Sequence, residues 1–77
     1  MSAGPVIDVA ATGKRIQSQR EAAGISIREL QNALGFTSQQ AIYKWQWGEC
    51  LPSIDNLVII ASLLGCKVDD LLVLRED

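Results

Sequence analysis

With 77 residues, 48% of them hydrophobic and 21% charged, the chain is long enough for one small packed domain and too apolar for a disordered one. Seven Lys and Arg stand against nine Asp and Glu, a formal net charge of −2, which argues against a protein that holds nucleic acid by bulk positive charge. No apolar run approaches the roughly 18 residues of a membrane span, and no basic segment followed by an apolar core opens the sequence, so neither a span nor a secretory signal is expected.

The distribution of charge says more than its sum. Residues 1–50 hold five basic groups (Lys14, Arg15, Arg20, Arg28, Lys44) and four acidic ones, whereas residues 51–77 hold two basic and five acidic. One pole can face phosphates while an acidic end points away. Cys50 and Cys66 come without histidine or a CxxC pair, so they read as reduced thiols of a cytoplasmic protein, with no metal or cofactor implied. The absence of histidine, and of any base near either cysteine, also argues against an enzyme.

Residues 1–11 show no helical period, and Pro5-Val6-Ile7 favours an extended arm. A single domain is expected over residues 12–77. Thr12 reads as the N-cap of a first helix that carries Lys14 to Ala23 and stops at Gly24, with Ile16 and Ala23 on one face. Ser26-Ile27-Arg28-Glu29 has the form of a capping box and opens a second helix, with Leu30, Ala33 and Leu34 inward and Gly35 at its end. After Phe36-Thr37, Ser38 reads as the cap of a third helix running to about Gln46, with Ile42 and Trp45 facing the core. Pro52-Ser53 starts a fourth helix whose inner stripe is Leu57, Ile60, Ala61 and Leu64, closed by Gly65. Lys67 to Leu74 suits a short last helix, its start favoured by Asp69 and Asp70. The predicted fold class is therefore all-α, a compact cluster of five helices.

The second and third helices, joined by a tight turn, form a helix-turn-helix arrangement. Many helical domains hold such a pair for packing alone, so the exposed face of the third helix decides. It offers Ser38, Gln39 and Gln40 in its first turn and Tyr43 and Lys44 one turn on. Glutamine can bond adenine's N6 and N7 together, and lysine guanine's O6 and N7. A face built only for solvent more often carries Glu/Lys pairs.

The spacing of Arg15-Ile16, Arg20, Gly24-Ile25-Ser26, Leu30, Leu34-Gly35, Ala41-Ile42-Tyr43-Lys44-Trp45-Gln46, Gly48, Pro52-Ser53, Leu57 and Leu64-Gly65 resembles the Cro/phage-repressor (XRE) helix-turn-helix family. Gln40–Gln46 with Leu51–Leu57 is most like its small clostridial and bacillar members, and the likeness spans residues 12–74. It implies a five-helix, lambda-repressor-like domain acting as a sequence-specific transcriptional regulator on double-stranded DNA. Gln39, Gln40 and Lys44 would read bases, Tyr43 would stack on a thymine methyl or bond a phosphate, and Arg15 and Arg28 would hold phosphates.

Three departures from the family pattern bear on target and affinity. Ile27 stands where a phosphate-holding glutamine is common. Arg20 faces Gln46 rather than glutamate, exchanging an ion pair for an arginine–amide bond. The turn before Ser38 is one residue longer than in the tightest members. Trp47 leaves two readings open, a stacking contact to DNA or a partner, and a lid on the local core. Ile59 and Leu63 make the fourth helix more apolar than a one-sided helix requires, which points to a homodimer, unless the amino-terminal arm covers them. A second class of function also fits the net charge and Ile27: a protein-interaction module, such as an antitoxin or adaptor, built on the same fold.

Overall fold

A computed structural model gives the fold of residues 4–76; Met1–Ala3, the start of the expected arm, and Asp77 lie outside the described residues. Within them the order is β1 (Pro5–Ile7), α1 (Val9–Ala22), α2 (Ile27–Leu34), α3 (Gln40–Gln46), α4 (Ile54–Leu64), α5 (Val68–Leu71) and β2 (Leu74–Glu76). The five helices are those the sequence predicts. The all-α expectation needs correcting at the two ends, which pair as a small antiparallel sheet in the register Pro5–Glu76, Val6–Arg75 and Ile7–Leu74.

Thr12 ties the paired ends to α1. It is not the cap of α1; Asp8 is, accepting from the Ala11 amide at 2.9 Å, and the helix begins at Val9. Thr12 is fully buried, and its hydroxyl accepts from the Val73 amide at 3.0 Å. The Asp8 amide in turn donates to the Val73 carbonyl at 2.8 Å, continuing the ladder one residue past the strands. A lone two-stranded ribbon is marginal in water, so these two bonds hold it to the domain. They also shorten the last helix. It ends at Leu71 instead of Leu74, because Leu72 and the residues after it turn extended to reach the amino-terminal strand.

The caps follow local chemistry. In α2 the Ser26 hydroxyl accepts from the Glu29 amide at 3.0 Å while Glu29 accepts from the Ser26 amide at 3.1 Å, the reciprocal bond of a capping box. In α4 Ser53 accepts from the Asn56 amide at 3.2 Å. Asp70 accepts from the Lys67 amide at 3.0 Å and starts α5. Gly35 closes α2 with φ of 71°, a left-handed conformation in which a Cβ is costly.

The core is Ile16, Leu30, Ile42, Trp45, Leu57, Ile60, Ala61 and Leu71, one contribution or more from every helix. Helix α1 lies against α3 and α5, and α4 against α2 and α5. Leu34, Leu63 and Leu64 pack on this cluster from its margin. Ala23 and Ala33, expected inward, are exposed; a methyl group gives too little apolar area to fix a helix face. Cys66 also packs on the core, and burial, with the Asp70 charge second, pushes its thiol pKa up, so it stays a neutral packing group. Among the described residues no helix is long and apolar enough to cross a membrane, and no cluster of His, Cys, Asp and Glu could hold a metal.

Candidate nucleic-acid interface

Helix α3 is seated on α1 through backbone contact. Gly13, buried in the middle of α1, lies so close to the Trp45 carbonyl that a Cβ there would run into that oxygen. Just beyond α3, a Cβ on Gly48 would come within 3.0 Å of the Ala10 Cα and Cβ. Two glycines thus let the helices approach at van der Waals range, with Ile42 and Trp45 driven into the core below. Phe36, in the turn before α3, meets the Trp45 ring edge-on at a centroid separation of 5.9 Å. The result is a short helix held along one side and at both ends, its opposite side in solvent.

The turn into α3 differs from the expected one. Ser38 is not the cap; α3 starts at Gln40, and Gln39 occupies the cap position without a side-chain capping bond. The Ser38 hydroxyl lies 3.5 Å from the Gln40 amide, a long contact that does little to hold the turn. The turn is held instead by Gln31, a residue that no local sequence signal singles out. Its amide nitrogen donates to the Phe36 carbonyl at 3.2 Å, and its oxygen accepts from Gln39 Nε2 at 3.2 Å. This chain fixes which way the Gln39 amide faces. One of its N–H groups is taken by Gln31, leaving the second N–H and the oxygen as a donor–acceptor pair.

The remaining expected site residues separate into three settings. Gln40 and Lys44 are placed on the outer side of α3, with Tyr43 half-buried between them. Arg28, on α2, is exposed; Arg15, on α1, is also at the surface but donates to the Asp70 carbonyl at 3.2 Å. Arg20 and Gln46 do meet, at 3.5 Å, but the shorter bond of Arg20 is 2.7 Å to the Ile25 carbonyl. Arg20 thereby ties the end of α1 and the approach to α2 to the end of α3. Among the described residues its one ionic partner is exposed Glu21 at 3.9 Å, and its buried Nε makes no hydrogen bond. Gln46→Glu should therefore raise stability, by about 1 kcal/mol, since a carboxylate bonds a guanidinium about twice as well as an amide does. Urea denaturation would show it as a higher midpoint at unchanged slope; a lower midpoint would mean that the introduced carboxylate loses more on desolvation than the arginine returns.

Trp47 is no lid on the core. It is 68% exposed, whereas Trp45 is 4% exposed, and its ring stacks on Tyr43 at a centroid distance of 5.8 Å and an interplanar angle of 27°. The Tyr-x-x-x-Trp spacing that makes this stack was present in the sequence. On α4 the apolar surface is broader than Ile59 and Leu63. Leu63 packs against the core, while Ile54 at 75% exposure, Val58 at 54% and Ile59 at 37% face out.

A capped helix, a stabilised turn and a short helix with a polar outer face define a helix-turn-helix module. The family model for helix-turn-helix proteins matches residues 16–71, most of the chain. The chain belongs to the XRE-type helix-turn-helix family of DNA-binding transcription regulators. Among solved structures it is similar to the P22 c2 repressor, crystallised with a synthetic operator (TM-score 0.70, 33% identity, 79% of this chain and 91% of that one). It also resembles the clp gene regulator ClgR from Corynebacterium glutamicum (TM-score 0.73, 27% identity, 80% of this chain and 65% of that one). The restriction-modification controller protein C.AhdI from Aeromonas hydrophila shares the fold (TM-score 0.73, 23% identity, 83% of this chain and 96% of that one). No curated protein matches the sequence.

Proposed function

We propose that the protein is a cytoplasmic, sequence-specific regulator that binds double-stranded DNA as a homodimer, with α3 of each copy in the major groove. Ser38, Gln39 and Gln40 meet base edges at the entrance to α3, with Tyr43 and Lys44 one turn further on. Arg28 and the remaining N–H groups of Arg15 hold flanking phosphates. The observation that supports this reading is the Phe36–Gln31–Gln39 chain of hydrogen bonds, which ties down one N–H of the Gln39 amide at the start of the exposed helix and leaves its other N–H and its oxygen for a ligand. Adenine presents the complementary pair, N7 and N6–H, in the major groove. An amide oriented before binding loses less rotamer freedom when it bonds.

The test begins by selecting bound duplexes from a random pool. On the selected site Gln39→Ala should then cost about 1–3 kcal/mol, and on random duplex much less. Gln31→Ala should reproduce part of the loss without touching DNA, because it frees the Gln39 amide to rotate. Equal losses on selected and random DNA would make Gln39 a backbone contact. An unselectable pool with no salt-sensitive binding would favour the protein-interaction module instead.

A further inference from the structure

Trp47 is the C-cap of α3, and its backbone keeps the right-handed helical conformation (φ −82°, ψ −4°). The helical face therefore runs on through it: Gln40, Tyr43, Lys44 and Trp47 follow the i, i+3, i+4, i+7 spacing of one stripe. The far end of that stripe is an indole held flat against Tyr43 on one side and open to solvent on the other. The stack gives the indole a neighbour to pack on and leaves its other face as an exposed apolar platform. Along the chain, the charged side chains within three residues of Trp47 are Lys44 and Glu49, of opposite sign.

We infer that the Tyr43–Trp47 stack is an uncharged DNA contact, in which Trp47 packs on the deoxyribose sugars that line the wall of the major groove. The inference rests on α3 being the reading helix. With the start of such a helix at the base edges, a residue seven positions on lies about 10 Å along its axis. That places it past the base-reading end of the helix, where the sugar-phosphate strand flanks the groove. The indole offers a phosphate one N–H and no charge, whereas its open face matches the C–H faces of a sugar. Such a contact also adds affinity that does not depend on counterion release, in a chain of net charge −2.

Sugar contacts do not depend on sequence, so random-sequence duplex DNA is a sufficient probe. Binding of the full chain to such a duplex is measured from about 50 to 200 mM salt for wild type, Trp47→Ala, Trp47→Tyr and Arg28→Ala. Trp47→Ala should weaken binding about five- to tenfold at every salt concentration, with the slope against salt unchanged, as expected for lost apolar burial. Trp47→Tyr should recover most of the loss, and Arg28→Ala should flatten the slope by about one unit. Because Trp45 is buried, DNA should also shield the accessible tryptophan fluorescence of the wild type from acrylamide. Unchanged affinity in Trp47→Ala, or a slope that falls by about one as for a phosphate contact, overturns the sugar contact and leaves α3 as the reading helix. Absence of salt-sensitive binding in the wild type overturns that reading and the sugar contact with it. The urea midpoint should stay close to wild type for both Trp47 substitutions at this exposed position.

Discussion

Gly13→Ala should destabilise the protein by about 1–3 kcal/mol, the cost of forcing a methyl group into a filled site with rigid walls. The sign is the informative part. In an exposed helix interior the same change stabilises by about 1 kcal/mol, because alanine has the better helix propensity. Gly13 sits in α1 with no need for an unusual backbone conformation, so conformational freedom is not why glycine is there. What a Cβ meets is the Trp45 carbonyl, a backbone atom that can move only with α3 itself. A domain of this length has a total stability of about 4–12 kcal/mol, so the loss is a large share of it. Urea denaturation measures it directly, and Ser18→Ala, on the exposed side of the same helix, is the control. If Gly13→Ala leaves stability unchanged or raises it, α1 and α3 do not touch at this point. A second readout connects packing to function. The surviving folded fraction carries a displaced α3, so its preference for a selected DNA site over random duplex should narrow more than its affinity for random duplex falls.

That glycine illustrates which parts of the fold were legible in the sequence. The capping box at Ser26–Glu29, the serine cap at Ser53 and the closing glycines are local signals, and they fix where α2 and α4 start and stop. The core residues Ile42, Trp45, Leu57 and Ile60 repeat at helical spacing and could be read as buried. Contacts between segments distant in sequence could not. Thr12 looks like any helix cap until Val73, 61 residues away, is placed against its hydroxyl. Pro5–Ile7 reads as extended from its own residues, but its pairing with Leu74–Glu76 does not, because the partner lies at the other end of the chain. A glycine inside an otherwise helical run did offer a signal, since it costs about 1 kcal/mol and asks for a reason.

The site divides in the same way. Gln40, Tyr43 and Lys44 share a face by periodicity alone, and the family match over residues 16–71 agrees with the element that holds them. The role of Gln31 is tertiary. Only when the turn folds back do its two bonds, to Phe36 and Gln39, form across five and eight residues of chain. Arg20 was expected to work through Gln46 and has its shorter bond to the Ile25 carbonyl, a backbone partner that side-chain patterns cannot reveal.

Replacing Val58 with Glu and Ile59 with Lys together should lower affinity for a palindromic site by roughly 10²–10⁴-fold while leaving affinity for a single half-site near wild type. The reasoning starts from α4. Ile54, Val58 and Ile59 put three large apolar side chains on its outer side, where a helix of a monomer carries polar ones. The arm that could have covered them is committed elsewhere, since Pro5–Ile7 pairs with the carboxy-terminal strand and Ile59 stays 37% exposed. In the proposed homodimer a two-fold axis would bring the same patch to both sides. It would set two α3 helices about 34 Å apart, one turn of DNA. Joining half-sites also makes up for a net charge of −2, which leaves each copy with little attraction to phosphate. Leu63, packed on the core, is left intact in this variant so that loss of dimer and loss of fold stay separate. Sedimentation should show the variant as a monomer with an unchanged circular dichroism spectrum. Wild type that remains monomeric at high micromolar concentration, and binds a palindrome no more tightly than a half-site, would remove the dimer and leave the exposed face of α4 without this role.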